Sequence, residues 1–264
     1  MSETTTIDRA QATGTPPARA GIVAAYLTLL RWTLSQVGAM LPLIIVVQAF
    51  LAAGIVIGFG FLIPDIDSGT ARFLATGAPT VLLLVIGLVM VPQGVARART
   101  DGTFTYMRSL PVPRPLLLAT DLTVWLLIGL PSVAVGVTVA WLRYDIAFSF
   151  DWPLLVATTL LVTIMATAVG YAIAVSMPPL LAQLLTQAIV FFVLLFSPIT
   201  FPVGQLPEWF QTVHDYLPAR PAADLLRAGL VSDAFDARLR DLLVLVAWCA
   251  AGVAISLRAL VRRG

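Results

Sequence analysis

The chain has no lysine: all sixteen of its basic residues are arginine. A nucleotide-binding P-loop needs the lysine of Gly-x-x-x-x-Gly-Lys on the phosphates, so a conventional Walker A motif is excluded. Schiff-base chemistry is excluded by the same fact. If ATP drives this protein, another polypeptide must bind it. Cysteine is almost absent too. The single Cys249 permits neither an internal disulfide nor a cysteine-rich metal cluster. The single histidine, His214, leaves nothing for a multi-histidine metal site. No Ser-His-Asp set or paired carboxylates emerge within the apolar stretches, so no catalytic residue and no metal ligand is assigned. Charge is scarce as well, at 11% of residues, where soluble domains carry roughly a quarter.

What is present is apolar: 59% of residues are hydrophobic and the mean hydropathy is +0.95. No water-soluble core could bury so much apolar surface, which places the chain in a membrane. A spanning helix needs roughly 20 apolar residues. Six segments qualify: about 35–63, closing at Pro64-Asp65; 73–96; 115–142; 153–177, ending at Pro178-Pro179; 180–197; and 241–260. Ahead of them, 21–32 is moderately apolar and ends at Arg31-Trp32. It suits either an interfacial helix or an extension of the first span. Residues 1–20 are polar, with Thr4-Thr5-Thr6 and Pro16-Pro17, and lack the apolar centre of a signal peptide. They are expected to form a disordered cytoplasmic tail. The expected fold is an all-α integral membrane domain over 21–264.

Orientation follows from the arginines. With the N-terminus inside, ten arginines (9, 19, 31, 97, 99, 108, 114, 258, 262 and 263) fall on the inner side. The outer segments carry six arginines against ten acids. Both termini are therefore expected in the cytoplasm. Two loops hold most of the specific information: 97–114 inside, and 198–240 outside.

The inner loop reads Arg97-Ala98-Arg99-Thr100-Asp101-Gly102-Thr103-Phe104-Thr105-Tyr106-Met107-Arg108-Ser109-Leu110-Pro111. An Asp-Gly turn precedes one short helix bearing Thr103, Phe104, Met107 and Leu110 on neighbouring faces, and Pro111 stops it. On these residues alone, the loop is either a grip for a soluble partner or a solvated loop whose arginines obey the positive-inside rule. The outer loop opens with Ser197-Pro198-Ile199-Thr200-Phe201-Pro202-Val203-Gly204-Gln205-Leu206-Pro207-Glu208-Trp209. Its prolines end the fifth span and start a further short helix near Leu206-Pro207. Irregular backbone at membrane depth survives only when buried in protein or lining a water-filled cavity. Residues 199–217 are therefore expected to dip back into the outer leaflet, with Trp209 and Tyr216 at the headgroup level.

Together these loops resemble the ATP-binding-cassette permeases of the type-2 exporter class, which export drugs, lipids and polysaccharides. In that family the inner loop forms a coupling helix seated in a separate ATPase subunit. The resemblance implies that role for Arg97, Arg99, Asp101, Gly102, Thr103, Phe104, Tyr106, Met107 and Leu110. The outer pattern S-P-x-x-F-P-x-x-x-L-P-x-W, then L-P and D-x-x-R, maps onto Ser197-Pro198, Phe201-Pro202, Leu206-Pro207, Trp209, Leu217-Pro218, Asp224 and Arg227. It implies an external gate containing Pro198, Phe201, Pro202, Leu206, Pro207, Trp209 and Pro218. The match covers about 97–230; the N-terminal hundred residues match only in hydropathy.

Within the spans, Gln183 and Gln187 lie four apart with Thr186 beside them. Such a stripe either lines a pathway or hydrogen-bonds across a helix interface. Phe191 and Phe192 either constrict the same pathway or face lipid, and Gln93 beside Pro92 is a further pathway candidate. The resemblance implies lining roles for the second and fifth spans. Asp121, one turn into the third span, either serves function or pairs with Arg114 or Arg97 at the interface, the ion pair being favoured. Gly129 and Pro131 are expected to kink that span.

The resulting expectation is a six-span permease subunit in a bacterial cytoplasmic membrane, arginine-only usage pointing to GC-rich coding. It would pair with a second, identical or related permease subunit and with ATPase subunits that bind the ATP and Mg, holding no cofactor itself. It would export an amphipathic or apolar drug, antibiotic or lipid. A proton-coupled secondary carrier would want more buried acids than Asp121. A lipid-modifying enzyme would want clustered intramembrane polar groups.

Overall fold

The computed structural model describes residues 21–62, 68–110 and 112–262. The polar tail 1–20, the Pro64-Asp65 stop and Pro111 lie outside them. The chain runs α1 (Ile22–Gly38), α2 (Leu41–Leu62), α3 (Ser68–Val85), a π-helical segment (Ile86–Met90), α4 (Val91–Thr100), α5 (Thr103–Ser109), α6 (Arg114–Tyr144), α7 (Trp152–Ser176), α8 (Pro179–Phe196), a 3₁₀ turn (Val203–Gln205), α9 (Glu208–Tyr216), α10 (Ala219–Leu230) and α11 (Leu239–Arg262). Six stretches are long and apolar enough to cross a membrane: Leu41–Gly58, Gly69–Thr100, Arg114–Tyr144, Trp152–Ser176, Pro179–Phe196 and Leu239–Ala259. The protein is an all-α integral membrane protein. Among the described residues the one extended pairing is an isolated parallel bridge between Ser149 and Val231.

The first span starts later than its hydropathy suggests. Pro42 sits in the first turn of α2, where a missing N–H is harmless, but it cannot continue a helix from before. Ser35 to Gly38 consequently belong to α1, which runs past Trp32. This helix packs on α6, where the Tyr26 hydroxyl lies 2.7 Å from Thr123 Oγ1. Thr123 itself donates to Ala119 O, so Tyr26 is the donor.

The second span is the central one, with 83% of its window buried, against 11% for α8 and 17% for α11. Its π-helical segment has a local cause. Pro92 has no N–H for the carbonyl a turn earlier and its ring crowds that carbonyl. The ladder widens, and Val91 N–H bonds Ile86 O five residues back. α7 crosses at this widened point: a Cβ on Gly170 would stand 1.9 Å from Gly87 O. Between apolar helices in lipid, such close backbone approach replaces the hydrophobic drive of a soluble core. α6 continues as one helix through Pro131.

The connection after α8 does not stay on the surface. Ser197, Pro198, Ile199 and Thr200 are all buried, and α10 packs on α3, α7 and α11 with nearly every residue covered. Asp151 caps α7, accepting from Leu154 N–H at 3.1 Å. Its own N–H reaches Gly229 O at 3.0 Å, joining the end of α10 to the start of α7.

Candidate coupling and gate sites

At one end of the bundle, α4 passes into α5 through Gly102, whose φ of 78° favours glycine. α5 lies between two spanning helices and presents its faces unequally. Phe104 turns inward against the cluster of Val91, Val95, Leu118, Tyr171, Ala174 and Val175. Tyr106 points away and is 61% exposed. Asp101 and Gly102 are exposed; Thr103, Met107 and Leu110 are half-buried. Arg97 is exposed, but Arg99 is engaged: its Nη1 donates to Ala174 O at 2.7 Å and Met177 O at 2.6 Å. Those carbonyls belong to the last turn of α7 and its cap, where a cation meets the negative end of the helix dipole. The candidate coupling loop is thus tied to the α7–α8 turn by Arg99 and to the bundle by Phe104.

At the other end, Arg227 on α10 holds the chain reversal. It is fully buried, with Nη1 2.9 Å from Asp224 Oδ1 and Nη2 bonded to Ile199 O. Burial pushes its pKa down to about 10, partly opposed by Asp224, so it keeps its charge at neutral pH. Ile199 O also lies where a Cβ on Gly77 would stand, 2.2 Å away. The reversal is therefore wedged between α3 and α10. Further arginines tie α9, α10 and α11: Arg220 bonds Asp215 and lies 3.5 Å from Asp224, while Arg240 reaches Asp215 at 3.0 Å and Asp241 at 3.7 Å. With Arg143, whose guanidinium lies 5.1 Å over the Tyr144 ring, four of the six expected outer arginines have these local partners. Of the proposed gate residues, Pro198 is buried, while Phe201, Leu206 and Pro218 are half-buried. Pro202, Pro207 and Trp209 are exposed, and Pro207 caps α9.

The family model described as "ABC-2 family transporter protein" matches residues 64–258, nearly three-quarters of the chain. The chain belongs to the ABC-2 transporter family. No curated protein matches it. The match begins well before Arg97, so the family pattern takes in the second span, which hydropathy alone had linked to it. In this ABC-2 permease the two loops singled out by their motifs sit at opposite ends of one helical core.

The candidates on the spans divide. Thr186 is buried and its hydroxyl donates to Ala182 O at 2.8 Å, a bond within its own helix. Gln183, Gln187 and Phe191 fall on one face of α8 by helical spacing, with Gln187 and Phe191 exposed. Phe192 faces elsewhere, stacked on the His214 ring with centroids 6.3 Å apart. Gln93 is half-buried on α4. Asp121 accepts a hydrogen bond from the Tyr171 side chain of α7. Sequence reasoning missed the anchoring role of Arg99 and the buried setting of His214 and Arg227. Arg227 had a signal: its Asp224-x-x-Arg227 spacing places the pair on one helix face.

Proposed function

We propose that this permease is the membrane-spanning half of an ATP-driven exporter. A separate ATPase subunit engages α5 and a second permease subunit covers the exposed face of α8. The observation that carries the reading is the division of α5: Tyr106 and its exposed neighbours offer a handle, while Phe104 packs the same helix against α4, α6 and α7 and Arg99, just before it at the end of α4, ties the junction to the end of α7. A push on the handle moves three spanning helices together. Closure of two ATPase subunits on ATP supplies that push, and the bundle responds by rigid-body shifts, since packed helices are bistable rather than continuously deformable.

Cargo of amphipathic or apolar character fits the absence of charge on α8 between Pro179 and Phe196. It passes between the two permease subunits along the Gln183–Gln187 face and leaves past the reversal held by Arg227. The α5 end, rich in arginine, faces the cytoplasm of a bacterial cell. Affinity purification of the chain from its native membrane tests the pairing: a P-loop ATPase should come with it, and should be lost from a Tyr106→Asp variant that still inserts. Recovery of the permease with no nucleotide-binding subunit would count against the proposal.

A further inference from the structure

α8 and α11 stand apart, and the gap between them is a groove floored by α7 and by Leu84 and Leu88 of the central span. Its volume is about 460 Å³, within the usual range of small-molecule sites, about 300–1,000 Å³. The α7 wall from Met165 to Ser176 runs roughly 16 Å at 1.5 Å per residue. That is close to one leaflet, half of a hydrocarbon core of roughly 30 Å. No Asp, Glu or Arg is among its lining residues.

Ser176 lines the end away from α9, and at the α9 end two further polar atoms break the apolar lining. Ser197 Oγ and His214 Nε2 are buried and meet no hydrogen-bond partner in the protein. His214 Nδ1 lies 3.0 Å from Phe210 O, a carbonyl that can only accept, so Nδ1 carries a proton, and in the neutral ring Nε2 presents a lone pair. Phe210 edge-on at 4.4 Å and Phe192 stacked opposite fix the ring's plane. Trp248, the other polar side chain at this end, already donates from Nε1 to Tyr216 O at 2.8 Å. A buried polar atom without a partner is costly, and two of them, a ring nitrogen and a hydroxyl, at one end of a chain-length groove describe a complementary guest.

We propose that this groove binds an uncharged amphiphile: a single acyl-type chain lying along α7, headed by a hydroxyl that donates to His214 Nε2 and accepts from Ser197 Oγ. A phosphate head is disfavoured because no arginine lines the groove. The site is separate from the Gln183–Gln187 face, because Ile189, Phe192 and Val193 lie on the other side of α8. It goes beyond the exporter reading and stands without it, since binding needs neither nucleotide nor a partner.

The test uses the full chain in nanodiscs with a monoacylglycerol carrying a diazirine on its chain, photolysed and mapped by mass spectrometry. Crosslinks are expected on the α7 stretch 165–176 and the α11 stretch 248–255. Monoolein should compete, and methyl oleate, which lacks the donor, should compete about tenfold less well. Ser197→Ala and His214→Phe should each weaken binding about tenfold, with Ser197→Ala serving if the histidine variant does not fold. Crosslinks spread over the exposed face of α8, or equal competition by methyl oleate, would overturn the assignment. Repeating the labelling with the ATPase complex separates sources: release on adding ATP marks cargo, and retention marks a resident lipid, either outcome upholding the site.

Discussion

The guanidinium of Arg227 lies 3.6 Å over the ring of Phe73, so a cation on α10 is stacked on an aromatic side chain of the central span. The same side chain bonds Asp224 and Ile199 O. One residue therefore joins α3, α10 and the reversal after α8. Replacing it with Gln leaves Asp224 and the Ile199 carbonyl short of their charged donor, a loss of about 3 kcal/mol for a broken buried pair. Arg227→Lys should fall between the two, since a lysine cannot supply two donors and a flat stacking face together. Thermal unfolding in detergent measures both; an Arg227→Gln protein as stable as the parent would show the clamp to be idle.

Phe104 and Tyr106 separate stability from coupling. Phe104→Ala removes a side chain packed under α5 and should lower stability by about 2–3 kcal/mol, somewhat below the fully buried case because Phe104 is half-covered. Tyr106→Asp touches only the exposed face and should leave unfolding unchanged while ATP-dependent export falls at least tenfold. Parallel melting and transport assays distinguish them. Equal stability loss in both variants would mean that α5 has no free face.

Gly170→Ala places a methyl against the backbone of the π-helical segment, where Gly87 O would be 1.9 Å away. Neither side of that contact is a flexible side-chain end, so α7 and the central span must separate. A cost of about 1–3 kcal/mol is expected, read as a drop in melting temperature. An unchanged melting point would show that the crossing has slack.

Much of this architecture was readable from composition. Apolar runs located six spans because a membrane requires every crossing helix to be long and nearly uncharged. Pro42 shows where that signal stops: a single proline divides α1 from α2 inside one apolar run, and hydropathy averages over it. The short helix after the second span and the buried reversal after the fifth were legible as motifs at Gly102 and Ser197-Pro198. The facing of Phe104 was not, because a seven-residue helix with aromatic residues two apart offers no periodicity to choose an inner side. Nor could the pairing of Arg99 with the end of α7 be read, since it joins residues 75 apart in sequence.

The loops at the α9–α10 end carry a pH prediction. Ser149 donates to Asp233, and that bond holds the Asp233 carboxyl below its usual 3.8. A depressed carboxylate pKa adds stability above the unfolded value, and that contribution disappears as pH falls through the folded one. The neighbouring Ser232 amide, 3.0 Å from Ser149 O, should therefore stay protected at neutral pH and lose protection below pH 3.8. In Asp233→Asn it should exchange faster at neutral pH. Identical exchange in parent and variant would show that the bond does not hold the loops.

Under the proposed function, this permease moves cargo only when driven through α5 by a nucleotide-hydrolysing partner. The direct measurement is transport into proteoliposomes holding the purified permease alone or with its ATPase subunit, with and without ATP. ATP-dependent accumulation should occur only with both subunits present and should vanish with Tyr106→Asp. Uphill accumulation by the permease on its own would contradict the account.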